Sequence, residues 1–190
     1  MDRVGLVGLG TLGLPMAGLL ARAGMPPVVH DVRAEAVGAA LEAGARGAAD
    51  PADVAARADV VLVCVQTDEQ CDDVVRGSGG LLDTLAPCAV IAVLATVHPD
   101  TVTELASAAA ARGVSLVDSP LAGKGAGGLE DRTMWAFVGG DAALKLAHNV
   151  MVYVGYLATF EALPGVTLTE GMGDALYQVR RPGPEVRSHP

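Results

Sequence analysis

The sequence predicts an α/β fold: a doubly wound parallel sheet followed by a long helix and a truncated helical C-terminal part. Three observations carry that prediction. A glycine-spaced turn joins an apolar run to a helical stretch at the start, short apolar runs then alternate with helix-length segments, and an acid ends the second run.

The first run is "VGLV", Val4 to Val7, short and apolar as a buried strand requires. "GLGTLGLP" follows with glycines at Gly8, Gly10 and Gly13, and residues 12–23 carry apolar side chains at helical spacing up to Gly24, a helix stop. Glycine is common here, 24 of 190 residues, so the G-x-G-x-x-G spacing is weak alone; the order strand, turn, helix gives it weight. In such a turn the first glycine permits the bend, the second lets a pyrophosphate approach the backbone, and the third lets helix pack on strand. The helix N-terminus adds unpaired N–H groups. Gly8, Leu9, Gly10, Thr11, Leu12 and Gly13 are therefore candidate cofactor-binding residues.

"PPVVHDVR" reads as the second strand, ending at Asp31. An acid there, roughly 20 residues beyond the glycines, accepts ribose hydroxyls. Val32 and Arg33 follow it beside the same ligand. Arg33 offers a grip for the 2′-phosphate of NADP, but Asp31 repels that phosphate, so NAD is the preferred cofactor, NADP is possible, and Arg33 is expected as a surface arginine. His30 is expected as a partly buried structural histidine.

The remaining elements alternate. Helices are predicted over 34–43 and 51–57, a strand over 58–65, a helix over 69–75, a strand over 88–95, a helix over 100–111, a strand over 114–120, and a last short strand, "MWAFVGG", over 134–140 closing the series. Nearly continuous apolar strands of this kind are buried on both faces of a parallel sheet. Ligands gather at the carboxyl ends of such strands, so "VQTDEQ" after the 58–65 strand places Val65, Gln66 and Thr67 on the nicotinamide side; otherwise it is an acidic surface loop. The dinucleotide-binding domain is expected over 1–141 and the helical remnant over 142–190. A long helix over 144–163, apolar on most of its surface, calls for burial and predicts a homodimer or larger assembly.

Composition bounds the rest. With 51% hydrophobic residues and a net charge of −9, the chain supports a sizeable core and is no disordered polymer. No basic run exceeds the pair Arg180 and Arg181, which argues against nucleic acid as a partner. Cys64, Cys71 and Cys88 form no C-x-x-C pair, suiting reduced cytoplasmic thiols rather than disulfides or a metal site. Cys64 and Cys88 are read as small core residues within strands. No apolar stretch reaches the roughly 18 residues of a membrane span and no basic leader precedes the first strand, so a soluble cytoplasmic protein is expected.

Four stretches together resemble the β-hydroxyacid dehydrogenases, a family that includes 3-hydroxyisobutyrate dehydrogenase and tartronate semialdehyde reductase and is related to 6-phosphogluconate dehydrogenase. "GLGTLGLPMAGLLARAG" is similar to the family's opening signature and "LATVHP" (94–99) to its Ser-Thr-x-x-Pro loop. "VDSPLAGKGAGG" is similar to its Asp-Ala-Pro-Val-Ser-Gly-Gly loop, and "LKLAHNVMVYVGYLATFEAL" to its catalytic helix. The resemblance implies an oxidoreductase that moves a hydride between NAD(P) and a small β-hydroxyacid or its aldehyde or keto form. Thr96 would then line the cofactor, Lys145 act as general acid and base, and Asn149 bind substrate. Without the resemblance, a lysine one residue into a helix is a solvated end residue; at i, i+4, Lys145 and Asn149 share a helix face.

The substrate loop departs from the family. Ala122 stands at its serine and Lys124 at its second glycine, beside Gly123, leaving Ser119 as a substitute hydroxyl and Lys124 as a new cation for a carboxylate or phosphate. The chain also reads as shortened relative to the family. A non-catalytic dinucleotide-binding module, a redox sensor or an assembly subunit, is therefore the alternative. Imine reduction on the same scaffold is a weaker one, because a lysine sits where those relatives depart from it.

Overall fold

The computed structural model describes residues 3–122 and 135–136. They fall in one compact unit, Met1–Leu146; the other, Ala147–Pro190, lies outside the described residues, as does the predicted helix over 144–163.

The element order is β1 (Val4–Val7), α1 (Gly13–Arg22), β2 (Val28–His30), α2 (Ala34–Glu42), β3 (Arg46–Gly47), α3 (Pro51–Ala56), β4 (Val60–Val63) and α4 (Asp68–Arg76). A 3-10 turn at Leu81–Asp83 follows, then β5 (Val90–Val93), α5 (Pro99–Ala110), β6 (Ser115–Asp118), β7 (Leu121–Ala122) and β8 (Trp135–Ala136). Six strands form one sheet in the order β3-β2-β1-β4-β5-β6. Every pairing in it is parallel, with Leu6 opposite both Val29 and Leu62. This is the doubly wound, Rossmann-like sheet the sequence predicts. The strand order reverses between β1 and β4, so a crevice opens at the carboxyl ends of these two strands.

The period-2 alternation of strands divides the core between the two faces. Leu6 and Val29 face Ala17 of α1 and Ala36 and Ala40 of α2. Val7, Val28, Val61, Val63, Ile91 and Val93 face Val54 of α3, Cys71 and Val75 of α4, and Leu105 and Ala109 of α5. Each valine, leucine or isoleucine so buried stabilises the fold by roughly 1.5–3 kcal/mol. Helix starts are set locally. Asp50 caps α3 by accepting from the Asp53 N–H at 2.7 Å with Pro51 in the first turn, and Thr67 caps α4 by accepting from the Gln70 N–H at 3.2 Å.

Three expectations are corrected. The strand within 134–140 does not close the parallel series: Trp135–Ala136 pairs antiparallel with Leu121–Ala122 in a separate two-stranded sheet. Strand β3 was absent from the sequence reading; its two residues pair at the sheet edge and carry no periodic signal. Cys88 lies outside β5 and is exposed, in a left-handed conformation (φ 69°) where the chain turns after Pro87 and its N–H donates to the Gly113 carbonyl at 2.8 Å. No helix among the described residues is long and apolar enough to cross a membrane.

Candidate functional site

The turn after β1 is shaped by its three glycines, each for a different reason. Gly8 adopts φ +96°, and a Cβ there would strike the Cys64 carbonyl oxygen. At Gly13 a Cβ would strike the Gly8 carbonyl oxygen, so only glycine lets α1 start this close to the strand it leaves. Gly10 is the reverse case: among the described residues, nothing beyond its chain neighbours lies within 4 Å of a Cβ built there. Its open flank admits a ligand to the backbone. The N-cap position Leu12 supplies no side-chain cap and the first turn of α1 holds no acid; the Leu14 N–H donates to the Gly10 carbonyl at 3.2 Å and Pro15 has none to offer, so what this helix start presents to an anion is its positive dipole end.

Asp31 joins this turn to the end of β2. Its Oδ2 accepts from the Leu9 N–H at 2.7 Å, across 22 residues of chain, while the Gly8 N–H donates to the His30 carbonyl at 3.0 Å. Oδ1 accepts from the Arg33 N–H at 2.9 Å. Arg33 is exposed, as expected of a surface arginine, and folds back over the acid: Nε donates to Oδ1 at 3.0 Å, and Nη2 donates to Oδ2 and to the Leu9 carbonyl, each at 3.1 Å. Burial pushes the Asp31 carboxyl up, but hydrogen bonds from Arg33 and the Leu9 N–H outweigh it and hold the group below the usual carboxylate range. Val32 is almost fully exposed beside the pair. His30 sits behind, its Nδ1 at 3.4 Å from the Ala48 carbonyl.

Val65, Gln66 and Thr67 follow β4, and Thr96 follows β5, so both loops open at the carboxyl ends of central strands. The Gln66 backbone and the Thr67 side chain help to start α4: the Gln66 N–H donates to Gln70 Oε1 at 2.9 Å, and the Thr67 hydroxyl is the cap. Thr96 is exposed, whereas Val65 packs on the core. The residue the sequence reading missed is Asp68. Its Oδ1 accepts from the His98 N–H at 2.8 Å and the Thr101 hydroxyl at 2.6 Å, tying the two loops together. Those bonds hold the Asp68 carboxyl below its ordinary range. The Thr-x-x-Gln capping pattern marks the helix start, but no local signal marks a partner 30 residues away.

Ser119, at the end of β6, is buried, and Ala122 lies in β7. Gly123, Lys124, Lys145 and Asn149 lie outside the described residues. Burial raises the thiol pKa of Cys64 and, with Asp68, Asp72 and Asp118 adding to it, pushes Cys71 up to about 12, so neither is a thiolate nucleophile near neutral pH. Among the described residues no cluster of ligating side chains could hold a metal ion. The open Gly10 flank, the uncapped helix start and the acid bonded to the turn fit an adenine dinucleotide.

Comparison with known proteins agrees with this geometry. Residues 3–160 match the family model of the NAD binding domain of 6-phosphogluconate dehydrogenase. The chain is 34% identical to a 3-hydroxyisobutyrate dehydrogenase of Pseudomonas aeruginosa over 75% of its own length and 47% of that protein. It is 32% identical to the NAD-dependent L-serine dehydrogenase of the same organism over 82% of its length and 52% of that one. It thus spans about half the length of these relatives. A crystal structure from Mycobacterium avium 104, described as an oxidoreductase, superposes with a TM-score of 0.78 at 28% identity, covering 94% of this chain and 74% of that one.

Proposed function

The chain belongs to the family of the NAD binding domain of 6-phosphogluconate dehydrogenase, and from that premise we propose that it is the dinucleotide-binding part of an NAD(P)-dependent dehydrogenase acting on a small β-hydroxyacid or its aldehyde or keto form. One observation carries this reading above the others: Asp31 bonds the glycine turn at the Leu9 N–H while the Gly10 flank stays open. The glycine turn and the positive end of α1 then meet the pyrophosphate, Asp31 accepts from the adenosine ribose, and its charge favours NAD. Val65, Gln66, Thr67 and Thr96 flank the nicotinamide. Bound there, the nicotinamide supplies a hydride donor or acceptor.

Lys145 holds and moves the proton. As the ammonium it protonates the carbonyl oxygen during reduction, and as the amine it removes the hydroxyl proton during oxidation. Such a group contributes typically 10²–10⁴-fold in rate. Asn149 is the residue we assign to orienting the acid, and Ser119, Gly123 and Lys124 are further candidate substrate contacts. Relatives named for 3-hydroxyisobutyrate and L-serine support a short β-hydroxyacid as the substrate class. The apolar stretch over 144–163 is the surface through which copies of the chain pair.

Lys145→Ala tests the reading. Turnover in a screen of 3-hydroxyisobutyrate, L-serine and tartronate semialdehyde should vanish while NAD binding, measured by calorimetry, stays nearly unchanged. Ala122, which lacks the hydroxyl of the family's serine, favours a second reading, a non-catalytic dinucleotide-binding module. NAD binding without turnover of any of these acids by the unmodified chain would select it.

A further inference from the structure

We infer that the charge of Asp68 makes this site prefer oxidised NAD over NADH, which suits oxidation of a hydroxyacid better than reduction of its carbonyl form; the inference rests on the dinucleotide reading of the site. Asp31 and Asp59 are each offset by an arginine, at 3.0 and 2.8 Å. Asp68 is bonded only by neutral groups, the His98 N–H and the Thr101 hydroxyl, and no cation pairs with it among the described residues. The His98 ring is turned to Asp100, whose N–H donates to its Nδ1 at 3.3 Å. The negative charge is therefore left standing where the two loops meet. Burial first, and then this charge, raise the pKa of the Cys71 thiol one turn along α4, so the field of Asp68 is felt inside the fold.

Asp68 opens α4 three residues after Val65 and bonds the other loop two residues after Thr96, so it stands between the two segments assigned to the nicotinamide. The positive ends of α4 and α5 together bring about one unit of opposite charge, but each helix carries a further acid in its first turn, Glu69 and Asp100, so Asp68 is not cancelled. The two redox states of the ligand differ by one charge. Oxidation of a hydroxyacid breaks its carbon–hydrogen bond, sends a hydride with both electrons to the positively charged ring, which becomes neutral, and leaves the hydroxyl proton to the base. A carboxylate nearby attracts the charged ring and not the neutral one. At about 10 Å, with an effective dielectric of about 40 to 80, that attraction is worth about two- to fourfold in affinity. The cations assigned to the substrate, Lys124 and Lys145, are common to every protein compared below, so their charges drop out of the difference.

The test is calorimetric titration of oxidised NAD, NADH and ADP-ribose, which has no nicotinamide, into the unmodified chain and Asp68→Asn, with melting temperatures recorded alongside. The amide oxygen still accepts from the His98 N–H and the Thr101 hydroxyl, so the tie between the loops stays and only the charge goes. Oxidised NAD should weaken about two- to fourfold while NADH and ADP-ribose hold their affinities. Asp68→Ser carries the same expectation for the ratio of oxidised NAD to NADH if the amide variant does not fold. An unchanged ratio would overturn the proposal, whether both affinities hold or fall together, because a purely structural strut moves both alike. A ratio shifted in favour of oxidised NAD in the variant would overturn it by sign. Absence of binding in the unmodified chain would remove the dinucleotide reading itself, a result distinct from binding with an unchanged ratio.

Discussion

Two aspartates at opposite ends of the same sheet are held by arginine forks, and only one belongs to a site. Asp59, just before β4, accepts from the Arg3 N–H at 2.8 Å, Nε at 3.2 Å and Nη2 at 2.8 Å, and its own N–H donates to the Arg3 carbonyl at 2.7 Å. Asp31, just after β2, is bonded in nearly the same way. The difference lies in what converges on them. Arg3 and Asp59 are 56% and 44% exposed and strap the amino ends of β1 and β4, where no glycine turn or helix N-terminus arrives. Asp31 sits at the carboxyl end, bonded to a turn that opens onto α1. Similar bond chemistry is a clasp at one end of the parallel sheet and, at the other, lies beside the turn proposed to take the dinucleotide.

The sharpest break of this contrast is Gly13→Ala. Its Cβ meets backbone, the Gly8 carbonyl oxygen, which cannot swing aside as a side chain can. We expect a loss on the order of 3 kcal/mol in denaturant unfolding, together with loss of dinucleotide binding. Asp68→Ala comes next. It leaves the His98 N–H and the Thr101 hydroxyl without their acceptor, costing about 1–2 kcal/mol, and frees the loop bearing Thr96, so NAD should weaken more than ADP-ribose, which lacks the nicotinamide. Asp68→Asn, whose amide oxygen still accepts both bonds, should restore most of this.

The smallest effect is expected at the clasp. Hydrogen bonds from Arg3 hold the Asp59 carboxyl at about 2, below the unfolded value near 3.9. A depressed acid stabilises the fold above its unfolded pKa and loses that contribution as pH falls through the folded one. Melting temperature should therefore drop between about pH 4 and pH 2, and Arg3→Ala should flatten part of that drop while leaving dinucleotide affinity at neutral pH unchanged.

What the sequence reveals depends on how local each constraint is. The glycine turn is readable because three backbone requirements fall within six residues, and β4 and β5 because a strand buried on both faces must be apolar throughout. Strand β3 is too short to show a period. The β7–β8 pairing joins residues on either side of a long connection, and nothing in "MWAFVGG" distinguishes a parallel neighbour from an antiparallel one. Asp31 is legible by position, but its covering by Arg33 depends on a side-chain rotamer. The Asp68 tie depends on which loops the strand order makes adjacent.

The carboxyl end of the sheet, with its open glycine turn, is the end we assign to the dinucleotide. Gly10→Ala probes this assignment, since among the described residues its Cβ meets nothing beyond its chain neighbours within 4 Å and fills the space assigned to the pyrophosphate. Calorimetric titration of NAD should show binding to the unmodified chain and affinity lower by at least about tenfold in the variant, with the melting temperature unchanged. Equal affinity in the two proteins, or no binding to the unmodified chain, would contradict the account.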